Sequence, residues 1–270
     1  VGSSVIGRPV LEVGLRLIRR APEKTILEFA PAVGWRKQPG ARQGRSTREF
    51  DVEFEINELG LRDDPMSNPA KPANTFRVLA LGDSFTMGFS VAREDLFVDI
   101  LEDWWQAENR RVDVINAGTQ GYSTDQAVRW FEVHGREFQP DLALLFAYEN
   151  DLYWNGVDDY NGKPKPRYRP DGTLATGELT DTTDDSWMDE WALTKLFRPK
   201  KGLPTPEHLF RPDGGEHTIL KEQGALLLDA PDFMAASIAG TRGALAAWKR
   251  ACDEIGARAI LVPIDRKSVV

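Results

Sequence analysis

A serine hydroxyl held where a buried strand turns can serve as a nucleophile, and Gly82-Asp83-Ser84 directly follows the apolar run Phe76-Arg77-Val78-Leu79-Ala80-Leu81. An unassisted hydroxyl attacks carbonyls poorly. It needs an adjacent base to take its proton and donors to hold the developing oxyanion. Two further segments stand at comparable places: Asn116-Ala117-Gly118-Thr119-Gln120-Gly121 after a second strand, and Tyr148-Glu149-Asn150-Asp151 after a third. Each also has a plainer reading. Ser84 could simply cap a helix, Gly118 and Gly121 could be turn glycines that need positive φ, and Asn150-Asp151 could be an ordinary turn.

Together the three segments resemble the SGNH (GDSL-type) hydrolases, over roughly Phe76 to Val262. The resemblance implies carboxylic-ester cleavage through an acyl-serine on Ser84. The Gly121 backbone N–H, the Asn150 side-chain amide and the Ser84 N–H would be the oxyanion donors, and losing one such donor typically costs ~10²–10³ in rate. It implies no cofactor and no metal. It also implies a three-layer α/β/α sandwich with a mostly parallel, flavodoxin-like sheet. The third segment departs from the family pattern Gly-x-Asn-Asp, because Tyr148 occupies the glycine position and would either crowd the site or wall the pocket.

The family's fourth block, an Asp-x-x-His that supplies the base and its orienting carboxylate, is absent. Of the histidines, His134 falls inside the helix after the second block, and His208 and His217 fall in an insertion away from the expected order. The polypeptide as written is therefore expected to be inactive, since a nucleophile without its histidine keeps only binding and oxyanion stabilisation. The C-terminal string Asp265-Arg266-Lys267-Ser268-Val269-Val270 is what GAT CGG AAG AGC GTC GTG encodes, a common sequencing-adapter string. The expectation is that residues 265–270 are non-native, that the natural sequence ends near Ile264, and that truncation removed the missing block. Different codons in the parent nucleotide sequence would end that reading.

The elements that must position these residues follow from periodicity. Strands and helices alternate as Phe76–Leu81, Glu94–Trp105, Val112–Asn116, Asp125–Phe138 and Leu142–Tyr148. Alternation implies parallel strands with right-handed crossovers, whose ligands bind beyond the strands' carboxyl ends, where all three motifs lie. A helix from about Phe233 to Ile255, stopped by Gly256, precedes a last strand Ala259–Val262. Upstream, residues 1–70 read as an accessory segment: a helical period at Val10–Arg20, turns at Gly34, Pro39, Gly40 and Gly44, and a strand in which Phe50, Val52, Phe54 and Ile56 alternate with acidic residues. Asn57–Asp63 resembles a preamble found in one SGNH subgroup. Pro65–Asn74 reads as a linker into the main domain, residues 75–264. Residues 153–231 break the periodicity with prolines and an acidic patch (Asp181, Asp184, Asp185, Asp189, Glu190), as a cap or lid with short elements of its own would.

Composition sets the outer limits. The chain has 270 residues, 41% hydrophobic content and a net charge of −8, which disfavours nucleic acid as a partner because nothing would offset phosphate repulsion. No stretch approaches the ~20 apolar residues of a membrane span. Val1 is not an initiator methionine, so an export or anchoring segment upstream is expected. Cys252 is the single cysteine, which excludes an internal disulfide, and its helical setting suggests core packing. No His-Glu-x-x-His, Gly-x-x-x-x-Gly-Lys or Gly-x-Gly-x-x-Gly occurs, and a calcium-loop candidate ending at Gly162 lacks its first and last ligands. The aromatic residues Tyr153, Trp154, Tyr160, Trp187 and Trp191 could be a cap core or sugar-stacking platforms. By family analogy the substrate is a small-molecule or carbohydrate ester in a bacterial envelope or secreted setting. The alternatives are acyl transfer to a sugar hydroxyl and non-catalytic binding.

Overall fold

The computed structural model describes residues 26–181, 209–212, 218–227 and 229–264. Among these the chain begins with two antiparallel hairpins, β1 (Leu27–Ala30) with β2 (Gly34–Lys37), and β3 (Arg42–Ser46) with β4 (Asp51–Glu55). The alternation expected around Phe54 is present: Val52, Phe54 and Ile56 are buried while Asp51, Glu53 and Glu55 face solvent. Gly44, expected as a turn, instead lies within β3 opposite Glu53, where the exposed strand requires no packing side chain. The expected helix at Val10–Arg20 and the tail at 265–270 lie outside the described residues.

The main sheet is built from β5 (Phe76–Leu81), β6 (Val112–Asn116), β7 (Leu142–Tyr148) and a last strand, β12 (Arg258–Ile264). Its order is β12-β7-β5-β6 and every pairing is parallel. Taken along the chain, the second strand lies outside the first and the third on the first's other side, the doubly wound order whose switch point falls between β5 and β7. Alternate residues feed opposite faces. Leu79, Leu81, Ile115, Ala143 and Leu145 enter one core cluster, and Val78, Ala80, Val114 and Leu144 enter the other.

Helices cover both faces, which makes the fold a three-layer α/β/α arrangement. The one-turn α1 (Ser84–Met87) follows β5, and α2 (Phe97–Ala107) contributes Val98 and Trp105 to the second core cluster. On the first face, α3 (Thr124–Val133) packs against α5 (Ala235–Ile255), with Ala127, Val128, Phe131, Ala247, Trp248 and the fully buried Cys252 in one core. Both crossover helices are shorter than expected. Arg93–Asp95 is a 3₁₀ turn, and the extended, buried Leu96 separates it from α2. His134 breaks the second helix before a 3₁₀ turn at Gly135–Phe138. No helix among the described residues is long and apolar enough to cross a membrane.

Residues 151–174 carry short elements: α4 (Asp151–Trp154), a hairpin of the two-residue strands β8 (Asp159–Tyr160) and β9 (Lys163–Pro164), and a bridge between Tyr168 and Leu174. Farther on, β10 (Leu209–Phe210) pairs with β11 (Ile219–Leu220). Trp187, Trp191 and the acidic residues 184, 185, 189 and 190 lie outside the described residues.

Candidate active site

Ser84 sits at the first position of α1, immediately beyond β5. The cap of that helix is Asp83, whose Oδ1 accepts the Phe85 N–H at 2.8 Å, so the serine hydroxyl is not the group that satisfies the helix end. The turn admits only glycine at position 82: a Cβ there would lie 2.2 Å from Thr86 Oγ1. At the other end Gly88 adopts φ +77°, and the buried Arg62 guanidinium donates to the carbonyls of Met87 (3.0 Å), Gly88 and Val91 (2.8 Å). A cation at a helix C-terminus satisfies orphan carbonyls. Through Arg62, the Asn57–Asp63 stretch thus braces the short helix that carries Ser84.

The second segment is wired to the first. Asn116 Nδ2 donates to Thr86 O (2.9 Å), its Oδ1 accepts the Gly118 N–H (3.0 Å), and the Thr119 N–H donates to Gly82 O (3.0 Å). Gly118 is required for close approach, since a Cβ there would lie 2.4 Å from the Met87 nitrogen. Gly121 has φ +76°, which favours glycine, and the turn is closed on Thr119 O by the Tyr122 N–H at 3.1 Å rather than by its own.

In the third segment Asn150 and Asp151 divide the work. Asn150 caps α4 through its backbone, and its side chain makes no capping bond. Asp151 is fully buried, and its Oδ2 accepts from Thr124 Oγ1 (3.0 Å) and the Tyr148 N–H (3.2 Å). Burial, reinforced by the nearby Asp83 carboxylate, pushes its pKa well above the ordinary carboxylate value. Tyr148 neither crowds the site nor lines the pocket. Its ring packs on Phe85 with centroids 4.7 Å apart.

Ser84, Gly121 and Asn150 line a single pocket of about 250 Å³. Of its walls, Trp154 and Tyr160 were among the aromatic residues named as possible stacking platforms, whereas Leu27, Trp35 and Lys163 carried no motif signal. Leu27 and Trp35 come from the first hairpin, and Trp154, Tyr160 and Lys163 come from the insertion. Tyr160 lies edge-on to Trp154 (centroids 4.6 Å apart) and faces Trp35 (5.8 Å). The Trp154 indole N–H donates to Glu222 at 3.2 Å. Trp154 and Tyr160 therefore face the cleft rather than forming only a cap interior, whereas Tyr153 packs on Trp154 and Phe233.

His134 does not line this pocket. It packs on Trp130 with centroids 5.6 Å apart, and burial pulls its pKa below the usual value. His208 and His217 lie outside the described residues. The carboxyl that lines the pocket is that of Asp83, pushed up to about 6 by burial against the opposing pull of the Phe85 N–H. The folded state then holds a proton that the unfolded chain releases between about pH 4 and 6, so this carboxyl's contribution to stability is lost as pH rises through that window. Asp83→Asn keeps an oxygen for the Phe85 N–H and removes the titration. It is expected to flatten the decline in urea-unfolding stability from pH 4 to 6 by about 2 kcal/mol. A decline as steep as the parent's would contradict the assignment.

Comparison with known proteins gives limited similarity. No protein-family model matches the sequence, and no curated protein matches it. Among solved structures, AlinE4, an SGNH-hydrolase family esterase, matches with 24% identity over 30% of this chain and 44% of its own, at a TM-score of 0.27. TesA matches with 21% identity over 28% of this chain and 42% of its own, also at 0.27. The psychrotrophic esterase EstA from Pseudoalteromonas sp., solved with monoethylphosphonate, matches with 15% identity over 69% of this chain and 76% of its own, at 0.27. The chain thus spans less than half the length of the first two proteins.

Proposed function

We propose that this site belongs to a serine hydrolase acting on carboxylic esters. Ser84 is the nucleophile, and the backbone N–H groups of Ser84 and Gly121 and the Asn150 carboxamide receive the oxyanion. One observation carries the reading: three residues distant in sequence line one pocket beside the carboxyl ends of β5, β6 and β7, the edge at which open α/β sheets bind ligands. In the reaction the serine Oγ bonds to the carbonyl carbon and the hydroxyl proton passes to a base. The alcohol leaves with a proton, and water then cleaves the acyl-serine to the carboxylic acid. No histidine among the described residues lines the pocket, so turnover is expected near the low level that binding and oxyanion stabilisation alone support.

The aromatic wall supports a carbohydrate ester as substrate. Trp154 and Tyr160, both half-buried, offer aromatic surface beside the serine, as contact with a sugar ring requires. The same wall favours a second reading, in which a sugar hydroxyl replaces water and the reaction is O-acyl transfer. Product analysis with and without a sugar acceptor separates the two.

The primary test is incubation of the protein, with residues 265–270 replaced by the parent gene's own C-terminal sequence, with a fluorophosphonate followed by peptide mapping; a single adduct is expected on Ser84, and that protein is the parent for every labelling rate below. Absence of that adduct, with sugar binding retained, would leave a non-catalytic binding protein. Asn150→Ala is expected to slow labelling by about 10² while leaving the fold intact, because the side chain makes no capping bond. A rate within about twofold of the parent removes Asn150 from the oxyanion site.

A further inference from the structure

Lys37 does not line the pocket, yet its ammonium is buried against the loop that carries Gly121. We infer that Lys37 is a positioning residue for this site: by holding the 118–119 backbone it fixes the aim of the Gly121 N–H and makes the N-terminal hairpin a working part of the catalytic pocket. The inference rests on Gly121 being an oxyanion donor, as proposed above.

The alternation of β2 places Lys37 on the same face as Trp35. Lys37 is 1% exposed, and its Nζ donates to Gly118 O and, at 3.0 Å, to Thr119 Oγ1. Trp35 Nε1 donates to Gln120 O at 3.0 Å, and the Tyr122 hydroxyl donates to Trp35 O at 2.5 Å. The residues on both sides of Gly121 are thus tied to one strand of the hairpin. On the opposite side Asn116 and Gly82 tie the same loop to the nucleophile turn.

An ammonium is an expensive group to bury, and Asp63, the acidic group acting on it, is itself pushed up to about 7 by burial. What the ammonium supplies is a pair of donors to a carbonyl and a hydroxyl in a stretch without regular secondary structure. An apolar side chain of equal length would fill the space and leave the Gly118 carbonyl without that partner. An unsatisfied buried acceptor drives local rearrangement, and the displaced atoms would lie three residues from the proposed oxyanion donor. A donor that is present but mis-aimed loses transition-state stabilisation more than it loses substrate binding.

The test compares the parent with Lys37→Met at pH 6, below the value of about 7 to which burial lowers the ammonium. Amide hydrogen exchange across 116–122 and the fluorophosphonate labelling rate of Ser84 are read together. Exchange in the loop is expected to rise about tenfold while β5 and β7 stay protected, and labelling is expected to slow by about tenfold. A purely structural role would raise exchange in β5 and β7 alongside the loop, and that outcome overturns the inference, as does an unchanged loop with an unchanged rate. Should Lys37→Met not fold, Trp35→Phe removes the bond to Gln120 and keeps a ring. It is expected to raise loop exchange severalfold by the same route, and unchanged loop exchange in that variant overturns the inference. A parent protein that takes no label at Ser84 overturns the catalytic reading itself. A labelled parent with an indifferent Lys37→Met variant overturns only the role given to Lys37.

Discussion

Ser84→Ala is expected to abolish fluorophosphonate labelling while the protein stays folded. The hydroxyl lies at the pocket and the helix end is capped by Asp83, so deletion of one oxygen removes no bond that holds the turn. Stability should change by no more than about 0.5 kcal/mol, as for substitutions away from the core. Chemistry should change without remainder, because covalent capture requires the nucleophile itself. In a serine hydrolase with its full complement of groups the same deletion costs about 10⁶ in turnover. Intact-mass spectrometry and a melting curve on the same samples decide the matter. An adduct that persists on the alanine variant would place the reactive group elsewhere and sink the assignment.

The largest expected effect on stability comes from Lys165→Met. Lys165 and Asp125 are both fully buried, their ion pair measures 2.5 Å, and Nζ also donates to the carbonyls of Trp154 (2.9 Å) and Val157 (3.2 Å). Burial pushes the Asp125 pKa up and the Lys165 pKa down, and each partner opposes the shift of the other. Removal of the lysine leaves a buried carboxylate with only the Ser123 hydroxyl and the Gln126 N–H, and takes a donor from the carbonyls of Trp154, Val157 and Pro166. Breaking a buried pair in this way costs about 3–5 kcal/mol, equivalent to a fall in Tm of about 10 °C for a domain of this size. Because the lysine also anchors the Trp154 backbone, the aromatic wall of the pocket should loosen with it. Calorimetry on Lys165→Met and on Lys165→Met/Asp125→Asn tests the claim. The double variant should recover part of the loss, and a single-variant loss below about 1 kcal/mol would show the pair to be dispensable.

The first three strands of the main sheet were legible because most of their residues are buried or half-buried and turn residues bound them, whereas β12 is largely exposed. Leu142–Tyr148 is an unbroken apolar run, and Phe76–Leu81 and Val112–Asn116 are each interrupted by one charged residue, Arg77 and Asp113, which pair with each other. The three candidate residues were picked out for the related reason that each stands just past such a strand. The walls of the pocket were legible only in part, at Trp154 and Tyr160. Trp35 reaches Gln120 across a separation of 85 residues, and no local pattern encodes that contact. The buried cations Lys37, Arg62, Arg77 and Lys165 look like solvated surface in a sequence, because the carbonyls and carboxylates that satisfy them come from remote segments. One signal was available: alternation within Gly34–Lys37 places the lysine on the tryptophan's face, and a charged residue paired in this way with a buried ring is a candidate for burial. The packing of Tyr148 was left open in the sequence for a simpler reason, since its partner Phe85 sits on a helix whose direction only the fold reveals.

The hairpin's bonds to the loop also bear on how the molecule comes together. Residues 34–37 leave the ribosome first, but their partners at 118–122 emerge more than eighty positions later, so the hairpin must wait for β5 and β6 to pair before it has anything to dock on. The pocket is accordingly expected to mature after the sheet, and a refolding time course should recover Trp35 burial later than backbone strand signal.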